Sequence, residues 1–176
     1  MALAFAMLLG MAAIVTAEQE SLGKADAAFL QNAAQRQQSE IQLSQLAAER
    51  SESEQVKHFA QRMVQDHTKA NQEISKLAEA LGLTLSEAKN DAPHRTKEKL
   101  SSLSGRAFER AYLKHEMAGH QRNVSEFAAK SKALKNVQVR EWASATLPVL
   151  KEHLSLVKGL VAKPAKGSAR PMGTQG

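Results

Sequence analysis

From Ala25 to Arg50, small and apolar residues recur at Phe29, Ala33, Ala34, Ile41, Leu43, Leu46 and Ala47, with no proline or glycine between them. Steps of three and four place these side chains on one stripe of a helix and leave the other face polar. At 1.5 Å per residue the run predicts a helix about 39 Å long. Ser51-Glu52-Ser53-Glu54 supplies a turn and an N-cap. Val56, Ala60, Met63, His67, Ala70, Ile74, Leu77 and Leu81 then line a second helix, which Gly82 closes as its C′ residue. Residues 83 to 104 are mixed: Asn90-Asp91-Ala92-Pro93 breaks them, and a short helical patch runs through Leu100 and Leu103. A third helix, from about Gly105 to Ser131, carries Phe108, Tyr112, Leu113, Glu116, His120, Val124 and Phe127 on its stripe. A fourth, from about Asn136 to Leu160, carries Val139, Ala143, Thr146, Leu150, His153, Val157 and Leu160. Pro148 inside it should remove one backbone hydrogen bond and bend it.

Four long helices, two short turns and one long middle connection predict an all-α fold: a four-helix bundle of ferritin-like topology, with one long crossover between helices 2 and 3. Simple up-down-up-down connection is the alternative. Composition agrees, since aromatics make up 4% and glycine and proline number nine and four in 176 residues, the usage of helices and not of sheets. Zero cysteines exclude disulfides, iron–sulfur clusters, thiolate metal sites and thiol nucleophiles. Any metal must use His, Asp, Glu or Met.

The first seventeen residues carry no charge and end Val15-Thr16-Ala17 before the polar Glu18-Gln19-Glu20, the pattern of a signal peptide cleaved after Ala17. Retention as an N-terminal membrane anchor is the alternative, because seventeen residues sit at the lower edge of a span. The expected organisation is residues 1–17 signal, 18–24 extension, 25–160 bundle and 161–176 basic disordered tail, in the periplasm or secreted. Charge is uneven, with 8 Lys and Arg against 11 acids over residues 18–90 and 16 against 7 over 91–176. The basic excess gathers at Lys130, Lys132, Lys135 and Arg140 and in the tail at Lys158, Lys163, Lys166 and Arg170. Such a tail reads as a solvated one, with contact to an anionic envelope surface as the alternative. Without interleaved aromatics, nucleic acid is not an expected partner.

His67, His120 and His153 stand at stripe positions where leucine would be expected, each on a different helix, and Glu40 joins them from the first. His58, His94 and His115 fall on polar faces or in a loop and are assigned no role. Counted from the end shared by the first turn and the start of the third helix in the single-crossover arrangement, Glu40 lies about 12 residues down, His67 and His120 about 15, Glu116 about 11 and His153 about 10. At 1.5 Å per residue that is one layer, roughly 7–8 Å deep. Three neutral imidazoles with one or two carboxylates suit zinc, copper, iron or manganese. The alternative is a metal-free polar layer in which Glu40 and Glu116 pair with protonated histidines and fix helix register. Met63 and Met117 lie within a turn of the layer and are expected to pack the core. Asp66, beside His67, would point away from a site that His67 fills, leaving it a supporting or surface acid, and Glu152 has the same limitation.

These residues resemble a family of bacterial secreted proteins of unknown function, often labelled predicted outer membrane proteins and placed among ferritin-like bundles. The resemblance covers about Ala25 to Leu156. It rests on Asp26-Ala27-Ala28-Phe29-Leu30 with Ala33-Ala34 and Glu40-Ile41, and on Val56-Lys57-His58-Phe59-Ala60 followed by Met63-Val64-Gln65-Asp66-His67 and Asn71. Gly105-Arg106-Ala107-Phe108 with Tyr112 and His120, and Leu147-Pro148-Val149-Leu150-Lys151-Glu152-His153-Leu154, complete it. It implies a shared site at Glu40, His67, His120 and His153. Two departures stand out: Gly119 where the family commonly has an acid, and Gln35-Arg36-Gln37-Gln38 where it has a glycine-containing stretch. The Glu-x-x-His pairs of di-iron ferritins are absent, so ferroxidase chemistry does not follow from the fold name.

The leading expectation is therefore an exported bundle binding one transition-metal ion through His67, His120, His153 and Glu40, with Glu116 as a fifth ligand, for metal handling or envelope stress defence. An enzyme reading would add redox chemistry at that ion, for which no catalytic motif is identified. The third reading is a metal-free envelope structural or interaction protein. No nucleophile elbow and no phosphate-binding glycine loop is visible.

Overall fold

Residues 22–86 and 92–162 are described by the structure, a computed structural model. The proposed signal segment, Glu18 to Ser21 of the extension, the Asn90-Asp91 break, and the tail with Lys163, Lys166 and Arg170 lie outside the described residues. Within them the chain is all-helical, with five helices and no strand: α1 (Lys24–Arg50), α2 (Glu54–Ala80), α3 (Ala92–Ser101), α4 (Gly105–Ala133) and α5 (Val137–Ala162). The sequence predicts four; the fifth is the short α3 in the connection, which covers Leu100 of the predicted helical patch but stops before Leu103 and already includes Ala92 and Pro93 of the predicted break.

Helix ends follow local chemistry in part. Gly82, at φ +66°, lets the chain turn so that Leu83 N–H reaches the Ala78 carbonyl (2.8 Å) and Gly82 N–H the Glu79 carbonyl (3.0 Å). This pairing satisfies two carbonyls that the helix end would otherwise leave open. Asn136 caps α5 through Oδ1 to Val139 N–H at 3.1 Å. Ser53, by contrast, makes no side-chain cap. At the same turn Glu109 of α4 accepts through Oε1 from two amides that precede the helix, Glu52 N–H (2.9 Å) and Ser53 N–H (2.8 Å). α5 continues through Pro148 as one helix; Ser144, whose carbonyl loses its helical donor there, is an exposed residue.

These contacts also establish direction. Glu109, near the start of α4, meets the α1–α2 turn, and Arg50 at the end of α1 donates to the carbonyls of Ser101 (2.9 Å) and Leu103 (2.8 Å). At the opposite end Asp26, buried near the start of α1, accepts from Lys135 N–H (3.1 Å) and Asn136 N–H (3.3 Å) of the α4–α5 turn. The segment between α2 and α4 therefore returns the chain to the end where it left α1, and α2 runs parallel to α4. Gln31 fastens that segment to α1, accepting from Ser86 N–H at 2.9 Å and donating to Ser86 O at 2.6 Å. Asp26→Ala should lower stability by about 1–3 kcal/mol, since two turn amides lose that acceptor. Urea denaturation measures the loss, and metal content should not change.

Two apolar clusters fill the interior. One joins Phe29, Leu30, Ala33 and Ala34 with Ile74, Phe127, Leu134, Val139, Trp142, Ala143 and Leu150. The other joins Leu43 and Ala47 with Val56, Phe59, Ala60, Met63, Leu100, Phe108, Tyr112, Leu113 and Val157. Along every long helix polar residues are buried between the clusters: Gln37 and Glu40 on α1, His67 on α2, Glu116, His120 and Asn123 on α4, with Gly119 among them, and His153 on α5. Met63 belongs to the second cluster and Met117 packs against it, as core packing predicts.

Candidate metal centre

His67, His120 and His153 are 3%, 0% and 1% exposed. Their ring centroids lie 5.6 Å (His67–His120), 5.3 Å (His67–His153) and 5.3 Å (His120–His153) apart. One nitrogen from each falls within 4.8 Å of the other two. A tetrahedral centre with bonds of about 2.1 Å needs nitrogens about 3.4 Å apart, so side-chain shifts of about an ångström would close the triad on an ion.

Each ring spends its other nitrogen on an acceptor. His67 Nδ1–H donates to Gln37 Oε1, His120 Nδ1–H to the Glu116 carbonyl at 3.0 Å, and His153 Nε2–H to Asp66 Oδ2 at 2.8 Å. Carbonyl and carboxylate oxygens only accept, which fixes a proton on those nitrogens, so that in the neutral rings the lone pairs sit on the opposite ones. These are His67 Nε2, His120 Nε2 and His153 Nδ1, all buried and without a hydrogen-bond partner among the described residues. Each such orphaned group is costly unless something outside the chain fills it.

The two carboxylates stand beside this triangle and outside the 4.8 Å set. Glu116 is fully buried, with Oε2 3.5 Å from His120 Nδ1, on the side of the ring away from the free Nε2. Glu40, 7% exposed, lies beneath Gly119, where an added Cβ would sit 3.6 Å from its Oε1. As two carboxylates the pair would leave both Glu116 oxygens without a donor. Burial and then the Glu40 charge push Glu116 well above the usual carboxyl range, so it keeps its proton and donates to Glu40. Burial alone would raise Glu40, but His67, the Glu116 hydrogen bond and His120 together hold it below its ordinary value. Burial also lowers both imidazoles, His67 to about 4, and the neighbouring rings add to this while Glu40 opposes it. Both are neutral at pH 7, the form that binds metal and not the protonated form that a metal-free pairing needs.

Sequence reasoning missed Gln37, a buried polar residue three positions before Glu40 on the same face, whose place on that stripe was the available signal. Asp66 does support the site, but through His153 and not through its neighbour His67. Glu152 pairs with Arg62 at 2.9 Å on the surface. His115 is half-buried and contributes to the field at Glu40 and His120, whereas His58 and His94 are exposed.

The family described as Domain of unknown function (DUF4142) matches residues 12–160. No curated protein matches the chain. Among solved structures, a DUF305 fragment from Deinococcus radiodurans superposes with a TM-score of 0.71 at 16% identity, over 80% of this chain and 97% of that one. A DUF305 protein from Streptomyces coelicolor, whose secretion is inferred, gives 0.67 at 18% identity over 78% and 91%. At these identities the likeness is one of fold. Among the described residues no helix is long and apolar enough to cross a membrane.

Proposed function

The chain belongs to the DUF4142 family of domains of unknown function, and from that premise we propose that it is an exported, ferritin-like helical bundle that holds one transition-metal ion in its core. His67 Nε2, His120 Nε2 and His153 Nδ1 are the ligands. Glu40, the ionised member of the carboxyl pair, supplies the compensating charge and, on a side-chain movement, a fourth ligand. Glu116 holds its proton against Glu40 and becomes a ligand only by leaving that partner. The observation that carries the reading is three buried imidazoles close enough to share an ion, each with one nitrogen engaged and the other without a partner, as metal-bound histidines are oriented.

Zinc, copper, iron and manganese all accept imidazole and carboxylate, and the bound ion would supply Lewis-acid or redox character according to its identity. Metal handling or envelope stress defence outside the cytoplasm is the role proposed for it. Support for export comes from the leader-like first seventeen residues and from the fold shared with a protein of inferred secretion. The basic C-terminal tail is proposed to touch anionic envelope surfaces.

Elemental analysis by mass spectrometry tests the site, using protein that begins at Glu18 and is purified without a His tag or chelator. Near-stoichiometric metal is expected in the parent and none in a His67, His120 and His153 triple-alanine variant. If both are empty, and stay empty after incubation with zinc, copper, iron and manganese, the reading fails.

A further inference from the structure

The three free nitrogens lie in the interior, so an ion needs a route to them. Of the acceptors that orient the rings, Gln37 is 4% exposed and Glu116 is fully buried. Only the Asp66 side chain reaches solvent, at 30% exposure, while its Oδ2 touches the 1% exposed His153. Asp66 also lines a surface pocket of about 390 Å³ with His58, Gln61, Arg62 and Gln65. One carboxylate thus spans from open solvent to an imidazole of the triad, across the seam between α2 and α5.

Arg62 lies over that carboxylate. Its Nε is 3.3 Å from Asp66 Oδ2 and its Nη2 is 2.9 Å from Glu152 Oε2, so one guanidinium ties α2 to α5 and offsets one of the two negative charges at the mouth. The opposite seam, between α1 and α4, has a comparable bridge from Arg36 to Glu126 at 2.9 Å, but no hydrogen bond joins that pair to a triad imidazole among the described residues.

We propose that metal ions enter and leave the triad across the α2–α5 seam at Asp66 and His153, and that Arg62 is the latch that sets the rate. The proposal rests on the metal site described above. An arriving cation displaces Arg62 from Asp66 and Glu152, is held by those carboxylates, and passes inward as the Asp66–His153 contact opens. The latch acts on both directions of passage and touches none of the bound ligands, so it should govern rate and leave equilibrium affinity largely alone.

The test follows uptake and chelator-driven release in the full-length protein, using the ion with which it purifies, or Zn²⁺ if it purifies empty. Arg62→Gln is expected to speed both uptake and release by about tenfold with affinity nearly unchanged, because a positive charge leaves a mouth whose field attracts cations. The gain in uptake should shrink as ionic strength rises, a response that loosened packing alone would not give. Asp66→Asn, which keeps an oxygen to accept from His153, should slow uptake. Arg36→Gln should change neither rate. If wild type binds metal and Arg62→Gln exchanges it at the parental rate, or Arg36→Gln accelerates exchange instead, the route is wrong and the site stands. A protein that takes up no ion overturns the route together with the site it serves.

Discussion

His120→Leu is expected to stabilise the metal-free protein by about 1–3 kcal/mol while abolishing the rise in Tm on adding metal. The imidazole is fully buried and its Nε2 has no partner. Its single hydrogen bond goes to the Glu116 carbonyl, four residues back on the same helix, and that carbonyl keeps the backbone N–H of residue 120 after substitution. Leucine therefore removes a desolvated polar atom, strands little in exchange and fills a similar volume. His67→Leu is a poorer probe, because it would leave the buried Gln37 amide without its donor. Metal works in the other direction: an ion that binds only the native state adds about 4 kcal/mol at a thousandfold excess over its Kd, and the variant forfeits that gain. Urea titrations in chelator and thermal melts with and without metal read both effects. Trp142, the one tryptophan, packs against Phe29 and Phe127 and reports unfolding. The metal-free polar layer predicts the opposite sign, since breaking a buried ionic network destabilises by about 3–5 kcal/mol.

Acid should weaken the metal-free protein between pH 6.5 and pH 4. Burial holds His67 at about 4 in the native state against 6.5 as its ordinary value, so in that window the unfolded chain takes up a proton that the folded one refuses. The stability contributed by the neutral ring is complete above pH 6.5, falls as pH drops and is gone below about 4, on the order of 3 kcal/mol in all. His120, also lowered chiefly by burial, adds to the same slope. Glu40, held below its ordinary value, extends the loss at lower pH. Glu116 acts oppositely: its raised value means the unfolded chain releases a proton above about 4.5 that the native chain keeps, which costs stability as pH rises. The measurement is the difference between parent and His67→Leu from pH 4 to 7, whose slope carries His67 together with the upward shift that its removal imposes on Glu40. Parallel profiles would show that His67 is not held neutral by its surroundings. Metal loading should fall over the same range, because each ligand nitrogen must be free of its proton.

Much of this architecture is written in local pattern. The stripes at Phe29, Ala33 and Ala34, at Val56, Ala60 and Met63, and at Val139, Ala143 and Leu150 are buried as their spacing requires. Gly82 ends α2 because a left-handed turn there asks only for a missing Cβ. Counting residues from the turns put His67, His120 and His153 at one height, and their rings do meet. Ser53 shows where local reading stops: a serine at an N-cap is a sound expectation, yet its side chain makes no cap, and what the turn gains is a bond from the Ser53 amide to Glu109, 56 residues away in the chain.

The sequence by itself determined which faces are apolar, how long the helices run and that polar residues interrupt their stripes at matching heights, because helical period and rise depend only on the backbone. Tertiary structure decided the rest. Which nitrogen of each imidazole is free depends on Gln37, the Glu116 carbonyl and Asp66, and two of these three come from another helix. Whether Glu40 or Glu116 carries the charge depends on burial and on each other. The meeting of Asp66 with His153 and of Arg62 with Glu152 depends on the rotation of α2 against α5. Periodicity fixes where a side chain leaves its own helix; what it meets is set by how neighbouring helices turn about their axes, and that is settled only when all the apolar stripes are buried together.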